Sequence, residues 1–136
     1  MKSYSETHVF TPPLVDLLEA ATEFVARLLE PQKRVRCHEL TRAVGRFLAL
    51  PKACVQDGYY GFAEHSWLWV PGPPNDPLTK RIGWPDILDV YCVGQLPMVR
   101  LVACGNPGLP HVGWSYRPDS ERNDIDEGLV ERLAKG

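Results

Sequence analysis

Proline constrains what this 136-residue chain can fold into more than any other residue type does. The chain contains 13 prolines, and each one lacks a backbone N–H and disfavours the interior of a helix or of a sheet. Because the prolines punctuate the chain, they argue against an all-helical protein. The length is typical of one domain with its own core, so we predict a single domain over residues 1–136.

Composition and charge narrow the class of protein. Hydrophobic residues make up 44% and charged residues 24% of the chain, and the formal net charge is −2, which is ordinary for a globular protein and gives no basic face for a nucleic-acid partner. The apolar runs are shorter than the ~20 residues that span a membrane, and the polar segment Met1–Thr7 does not resemble a signal peptide. We therefore expect a cytoplasmic protein with no membrane partner and reduced cysteines; the sequence leaves its oligomeric state open.

Apolar residues at helical spacing predict three helices. The first covers Leu14–Leu29, the second covers Arg36–Leu50, and a short one covers Asp124–Ala134 near the C-terminus. In the second helix, Cys37 lies on the apolar stripe in the first turn, so its side chain is predicted to face inward. Gly45 is unfavourable in the middle of a helix and suggests a close approach to a neighbouring element.

Short segments rich in β-branched and aromatic residues follow, bounded by turn-forming residues. We predict four strands of one antiparallel sheet, with the helices packed on one face: Cys54–Val55, His65–Val70, Asp86–Cys92 and Met98–Ala103. In the second strand, His65, Trp67 and Trp69 share one face because side chains alternate. Residues 71–85 and 106–119 are predicted loops. The expected fold class is therefore α+β.

Three polar side chains lie where packing alone does not require them. Cys37 opens a helix, His65 begins an otherwise apolar strand, and Asp89 interrupts an apolar run. A thiol at a helix N-terminus is favoured as the thiolate by the helix dipole. A histidine can take or return its proton, and a carboxylate can orient the imidazole. These residues predict a catalytic triad of nucleophile, base and orienting group.

A strand register would bring two members of the triad together. If the strands that contain His65 and Asp89 form an antiparallel pair with these two residues directly opposite, their side chains are cross-strand neighbours. In that register Trp67 faces Ile87. We state this pairing as a hypothesis, since the long loop between the strands does not fix it.

The order and local sequence of these residues resemble a known superfamily. The motifs are Cys37 at a helix start, His65-Ser66-Trp67 at a strand start, and Gly83-Trp84 before Ile87-Leu88-Asp89. Over Arg36–Tyr91 they look like the transglutaminase-like branch of the papain-like cysteine proteases. The resemblance implies a papain-like core without a cofactor. It also implies a thiol hydrolase or acyltransferase that acts on an amide, peptide or protein substrate.

The same resemblance allows a second function, because the superfamily also contains catalytically inactive members. Such a protein would be a protein–protein interaction module that binds through its aromatic and proline-rich loops. For an enzyme, we predict an aromatic substrate-binding wall near His65, formed by Tyr59, Tyr60, Trp67 and Trp84. Each triad residue by itself also has a structural explanation, as a buried thiol, a satisfied histidine or a capping carboxylate.

Other candidates near the triad are weaker. His38 follows Cys37 directly, so on a helix it points about 100° away, and we expect it outside the site. Candidate oxyanion donors are Gln32, Gln56 and the backbone N–H of Cys37. No C-x₂-C or H-x₃-H pair occurs, so we predict no metal site.

Overall fold

A computed structural model describes residues 12–28, 35–70, 86–91, 99–102 and 116–135 of the chain. Within these residues the fold is α+β, with three helices and a five-stranded antiparallel sheet, which confirms the predicted fold class. The helices are α1 (Pro12–Leu28), α2 (Cys37–Phe47) and α3 (Glu127–Ala134). The strands are β1 (Val55–Tyr60), β2 (Ala63–Val70), β3 (Asp86–Asp89), β4 (Arg100–Val102) and β5 (Tyr116–Pro118), and a 3₁₀ turn at Lys52–Cys54 precedes β1.

The strands are ordered β4-β3-β2-β1-β5, and each neighbouring pair is antiparallel. β1 and β2 form a tight hairpin whose two loop residues are Gly61 and Phe62. Gly61 has a φ of 61°, which the first position of a type II′ turn requires. Among the described residues, no helix is both long enough and apolar enough to cross a membrane.

The two faces of the sheet have different partners. One face carries Leu68 and Leu88 and packs against α1 and α2 in the main core. The opposite face carries a smaller cluster built on Trp67, Ile87 and Tyr116. The side-chain alternation of β2 places consecutive residues in these two environments. The predicted layering, with helices on one face of the sheet, is therefore confirmed.

Two strands differ from the prediction. β1 runs from Val55 to Tyr60, well beyond the predicted strand Cys54–Val55, and β5 lies in the segment 106–119 that was predicted to be a loop. Gly58 explains the first error: a Cβ at this position would lie 2.1 Å from the backbone oxygen of Arg117. The glycine is needed because β5 approaches β1 closely, which is a tertiary requirement that local sequence does not reveal.

Helix boundaries also differ from the prediction. α2 ends at Phe47 instead of Leu50, and α3 begins at Glu127 instead of Asp124. Asp126 caps α3, because its side chain accepts a hydrogen bond from the backbone N–H of Leu129. The expected close approach at Gly45 is present, since a Cβ there would lie 3.1 Å from a Leu68 methyl group.

The predicted register of β2 and β3 is wrong by two residues. Leu68 pairs with Leu88 and Trp69 pairs with Ile87, so Trp67, not His65, lies opposite Asp89. A shift of two residues preserves the face on which every side chain lies. His65 and Asp89 are therefore diagonal neighbours on the same face, still within reach of each other.

We expect Gly58→Ala to lower the free energy of unfolding by about 1–3 kcal/mol, since the new methyl group would overlap the β5 backbone. The control is Gly128→Ala in the exposed part of α3, where the nearest atoms lie at 3.4 Å or more. That change should raise stability by roughly 0.5–1 kcal/mol. Urea denaturation measures both, and equal effects would contradict the close approach of β5.

Candidate active site

Cys37 is the first residue of α2, and the structure holds this end of the helix against the start of β2. Thr41 donates a hydrogen bond from Oγ1 to the backbone oxygen of Ser66, at 3.2 Å. Arg36, the N-cap residue, provides no side-chain cap. The first amides of α2 lack intrahelical acceptors, so the thiol lies at an electropositive helix end. Cys37 itself is only 7% exposed.

His65 lies on the sheet face that is opposite to the helices, and it is fully buried. Its Nε2 lies 2.9 Å from Oδ1 of Asp89. The backbone N–H of Tyr91 donates to the same oxygen at 3.2 Å, and the Tyr116 hydroxyl donates to Oδ2 at 2.6 Å. Because a carboxylate only accepts hydrogen bonds, Nε2 of His65 carries the proton.

The other ring nitrogen of His65 is available for chemistry. Nδ1 is buried and has no hydrogen bond of standard geometry to any described residue. In the neutral ring this nitrogen holds the lone pair, since Nε2 holds the proton. Asp89 thus selects the tautomer in which Nδ1 can accept a proton from a thiol.

Cys37 and His65 shift each other's protonation in opposite directions. Burial by itself raises the pKa of Cys37, but its polar contacts with His38 and His65 outweigh burial and lower the pKa to about 6. Burial lowers the pKa of His65, but the hydrogen bond to Asp89 and the contact with Cys37 raise it to about 9. Between these values the pair exists as thiolate and imidazolium, the reactive form of such a site.

Tyr116 is a site residue that the sequence did not predict. Arg100 donates a hydrogen bond to the Tyr116 hydroxyl at 2.9 Å, and the hydroxyl donates in turn to Asp89. Burial and the charge of Asp89 raise the pKa of Tyr116, so the phenol stays neutral and remains a donor. The alternation in Trp114-Ser115-Tyr116-Arg117 is a local sign of a strand that was available in the sequence.

His38 was predicted to lie outside the site, and this prediction is wrong. Its side chain is buried, with Nδ1 3.7 Å from Sγ of Cys37 and 2.7 Å from Oγ of Ser66. The physical reason is that α2 is buried on all sides from residue 37 to residue 45. A side chain 100° away from Cys37 therefore still faces the sheet.

Ser66 connects His38 to a buried ion pair. The Ser66 hydroxyl donates to Oδ1 of Asp57 at 2.5 Å, and these two residues are paired across β1 and β2. Arg42 donates two hydrogen bonds to the same carboxylate, at 3.0 and 2.7 Å. Burial raises the pKa of Asp57, but the bonds from Arg42 and Ser66 outweigh it and lower the pKa.

Only part of the predicted aromatic substrate-binding wall lies around His65. The Tyr60 ring meets the His65 ring edge-on at 5.9 Å. Trp67 stacks near the same ring at 6.2 Å, but it has no exposed surface, so a substrate would not touch it without rearrangement. Tyr59 lies on the opposite face of β1 from Tyr60, and Trp84 lies outside the described residues. Tyr60 is thus the best placed of the four.

One of the three oxyanion candidates is excluded. The Gln56 side chain donates both to the backbone oxygen of Asp57 and to that of Asp119, at 2.7 and 3.1 Å. Its amide protons are therefore engaged away from Cys37, and it is not an oxyanion donor. Gln32 lies outside the described residues. The backbone N–H of Cys37 remains.

A cavity of about 510 Å³ lies at the other end of α2, away from Cys37 and His65. Its lining mixes acidic, basic and apolar side chains: Arg42, Gly45, Arg46, Leu50, Pro51, Lys52, Ala53, Val55, Gln56, Asp57, Glu121 and Glu127. Among the residues that the structure describes, no group of three or more His, Cys, Asp or Glu side chains could hold a metal ion.

Comparison with models of protein families, with curated proteins and with solved structures found no match to this chain. The resemblance to the transglutaminase-like branch therefore rests on the motifs alone.

We expect iodoacetamide to alkylate Cys37 as a thiolate from about pH 6 upward, well below the ~8.5 of a free thiol. His65→Gln should move this rise to higher pH, because glutamine can keep a donor to Asp89 but offers no group at the Nδ1 position. Peptide mass spectrometry would follow each thiol, with Cys54 as the internal control. An unchanged profile in His65→Gln would contradict the coupling.

We expect Tyr116→Phe to lower the free energy of unfolding by about 1.5–3 kcal/mol, since it removes a buried hydrogen bond to a carboxylate. The control is Tyr59→Phe, because the Tyr59 hydroxyl has no hydrogen bond to a described residue. Urea midpoints at constant slope would measure both changes. Equal midpoints for the two variants would show that the Tyr116 hydroxyl does not stabilise Asp89.

Proposed function

We propose that this protein is a small cysteine hydrolase or acyltransferase that acts on an amide or peptide bond, with Cys37 as the nucleophile. The observation that carries the proposal is geometric: Cys37 opens α2, and Asp89 holds Nε2 of His65 at 2.9 Å, which leaves the buried Nδ1 without a standard hydrogen bond to any described residue. A thiol whose pKa is lowered and a histidine whose pKa is raised are characteristic of an activated nucleophile. Structural cysteines in apolar surroundings have a raised pKa instead.

The reaction steps follow from the protonation states of Cys37 and His65. The Cys37 thiolate attacks the substrate carbonyl carbon, forming a C–S bond and a tetrahedral oxyanion. The His65 imidazolium gives its Nδ1 proton to the leaving nitrogen, the C–N bond breaks, and a thioester remains. Neutral His65 then takes a proton from water, or from an amine acceptor, as that group attacks the thioester. The acid or the new amide leaves, and Cys37 is restored.

The oxyanion would be stabilised at the N-terminus of α2. The N–H of Cys37 is a first-turn amide, and such amides have no acceptor within the helix. Arg36 adds no side-chain cap that would occupy them. Fixed N–H groups of this kind stabilise developing negative charge without reorganisation. This donor belongs to the nucleophile itself, so no separate side chain is required.

Membership of the transglutaminase-like branch is part of this proposal. Its support is the chain order Cys37, His65, Asp89, together with a thiol at a helix N-terminus and the other two residues on neighbouring antiparallel strands. Fold by itself does not determine function. Catalysis therefore has to be tested directly.

The test uses p-nitrophenyl acetate as acyl donor and N-acetyl-peptide p-nitroanilides as amide substrates. We expect an acetyl group on Cys37 by mass spectrometry and turnover of at least one p-nitroanilide. Cys37→Ala should abolish both reactions. His65→Gln and Asp89→Asn should slow turnover by on the order of 10²–10⁴, the usual contribution of general acid–base catalysis. Turnover should be greatest between about pH 6 and about 9, where thiolate and imidazolium coexist.

The opposite result has a clear meaning. If Cys37 labels as a thiolate but no amide turns over in the parent protein, the enzyme proposal fails. The interaction module that the resemblance also allows would then be the better description, and a partner search would follow. Turnover that persists in Cys37→Ala would exclude Cys37 as the nucleophile.

A further inference from the structure

We infer that His38 is a second catalytic histidine, whose Nδ1–H is shared between Ser66 and the Cys37 thiolate, while the chain Ser66–Asp57–Arg42 keeps this hydrogen on Nδ1. This inference rests on the proposed function and adds a residue to that site. It divides the work between two histidines: His65 moves the proton, and His38 stabilises the sulfur without losing its own proton.

The direction of the hydrogen bonds fixes the proton on His38. Ser66 has one hydroxyl proton, and it donates this proton to Oδ1 of Asp57 at 2.5 Å. Its oxygen must therefore accept from Nδ1 of His38, which lies 2.7 Å away. Nδ1 thus carries a hydrogen whether the ring is neutral or charged. The same nitrogen lies 3.7 Å from Sγ of Cys37, so its one hydrogen is shared in a three-centre bond, with Ser66 as the nearer acceptor and the sulfur as the farther one.

The hydrogen-bonded series Ser66–Asp57–Arg42 is rigid because each of its side chains has hydrogen-bond partners. Asp57 accepts from Ser66, from both terminal nitrogens of Arg42 and from the backbone N–H of Arg122, at 2.5–3.0 Å. Asp57 and Ser66 are also cross-strand partners, so the sheet itself sets their separation. Arg42 and His38 are four residues apart on one face of α2, and Arg42 Nη1 donates to the His38 backbone oxygen at 3.0 Å.

Every member of this chain is at least nine-tenths buried: His38 is 5% exposed, Ser66 0%, Asp57 3% and Arg42 8%. A buried network of this kind contributes little net stability compared with apolar packing. Its physical advantage is that it specifies one tautomer and one ring orientation. The groups that face Cys37 are then His38 on α2 and His65 on β2. Asp89 orients His65 directly, and Asp57 orients His38 through Ser66.

Two substitutions of His38 distinguish a role as hydrogen-bond donor from a role in packing alone. Asparagine places an N–H near the position of Nδ1, whereas glutamine places one near Nε2. We expect His38→Gln to raise the pKa of Cys37 by about 1, which is the loss of one charge-assisted hydrogen bond and about a tenfold loss of thiolate. His38→Asn should keep the parent pKa. Iodoacetamide labelling across pH measures both, and thermal melting checks that each variant is folded.

Ser66→Ala is the second variant, for the case in which a His38 variant does not fold. Without the Ser66 oxygen, the Nδ1 hydrogen of His38 has no competing acceptor and can point fully at the thiolate, so the pKa of Cys37 should fall below the parent value. Equal pKa values of Cys37 in His38→Asn and His38→Gln, or a parent value in Ser66→Ala, would overturn the inference.

The two proposals can fail separately. If the His38 variants shift the Cys37 titration as expected but the parent turns over no amide, the proposed function fails and the thiolate donor stands. If the parent turns over an amide and the His38 variants leave the titration unchanged, the inference fails and the proposed function stands. Labelling requires no substrate, so the first readout does not depend on the second.

Discussion

Helix α2 meets the sheet through a glycine, and the distances of the candidate site depend on this contact. A Cβ at Gly45 would lie 3.1 Å from Leu68, so a larger residue would push the helix away from β2. The hydrogen bond from Thr41 to the backbone of Ser66 fixes the helix one turn earlier. Together these contacts hold Cys37 at the start of β2, where the thiol meets histidines from two elements.

Strand alternation then gives the site its two sides. His65 and Ser66 are adjacent in β2, so their side chains leave opposite faces of the sheet. His65 meets Asp89 and Tyr116 on one face, while Ser66 meets Asp57 and His38 beneath the helix. His65 is thus oriented directly by Asp89, and His38 is oriented by Asp57 through Ser66. The first turn of α2 is the place where both can influence one sulfur.

The buried polar groups orient the two histidines more than they stabilise the fold. Asp89 accepts hydrogen bonds from His65, Tyr91 and Tyr116, which offsets the large cost of burying a carboxylate. Asp57 is satisfied in the same way by Arg42 and Ser66. Such networks rarely add net stability over apolar packing, yet removing one member leaves a buried charge without a partner. Single substitutions here should therefore be costly.

The sequence by itself determined the α+β class, the helices, the core strands and the positions of Cys37, His65 and Asp89 within them, because hydrophobic periodicity and proline placement are local properties. It did not determine that β5 pairs with β1, that β2 and β3 pair two residues out of the expected register, or that His38 and Tyr116 join the site. The pairing of β5 with β1 depends on close backbone approach at Gly58, and the place of His38 depends on burial of the whole circumference of α2. Only the tertiary structure decides them, because they arise between segments that are far apart in the chain.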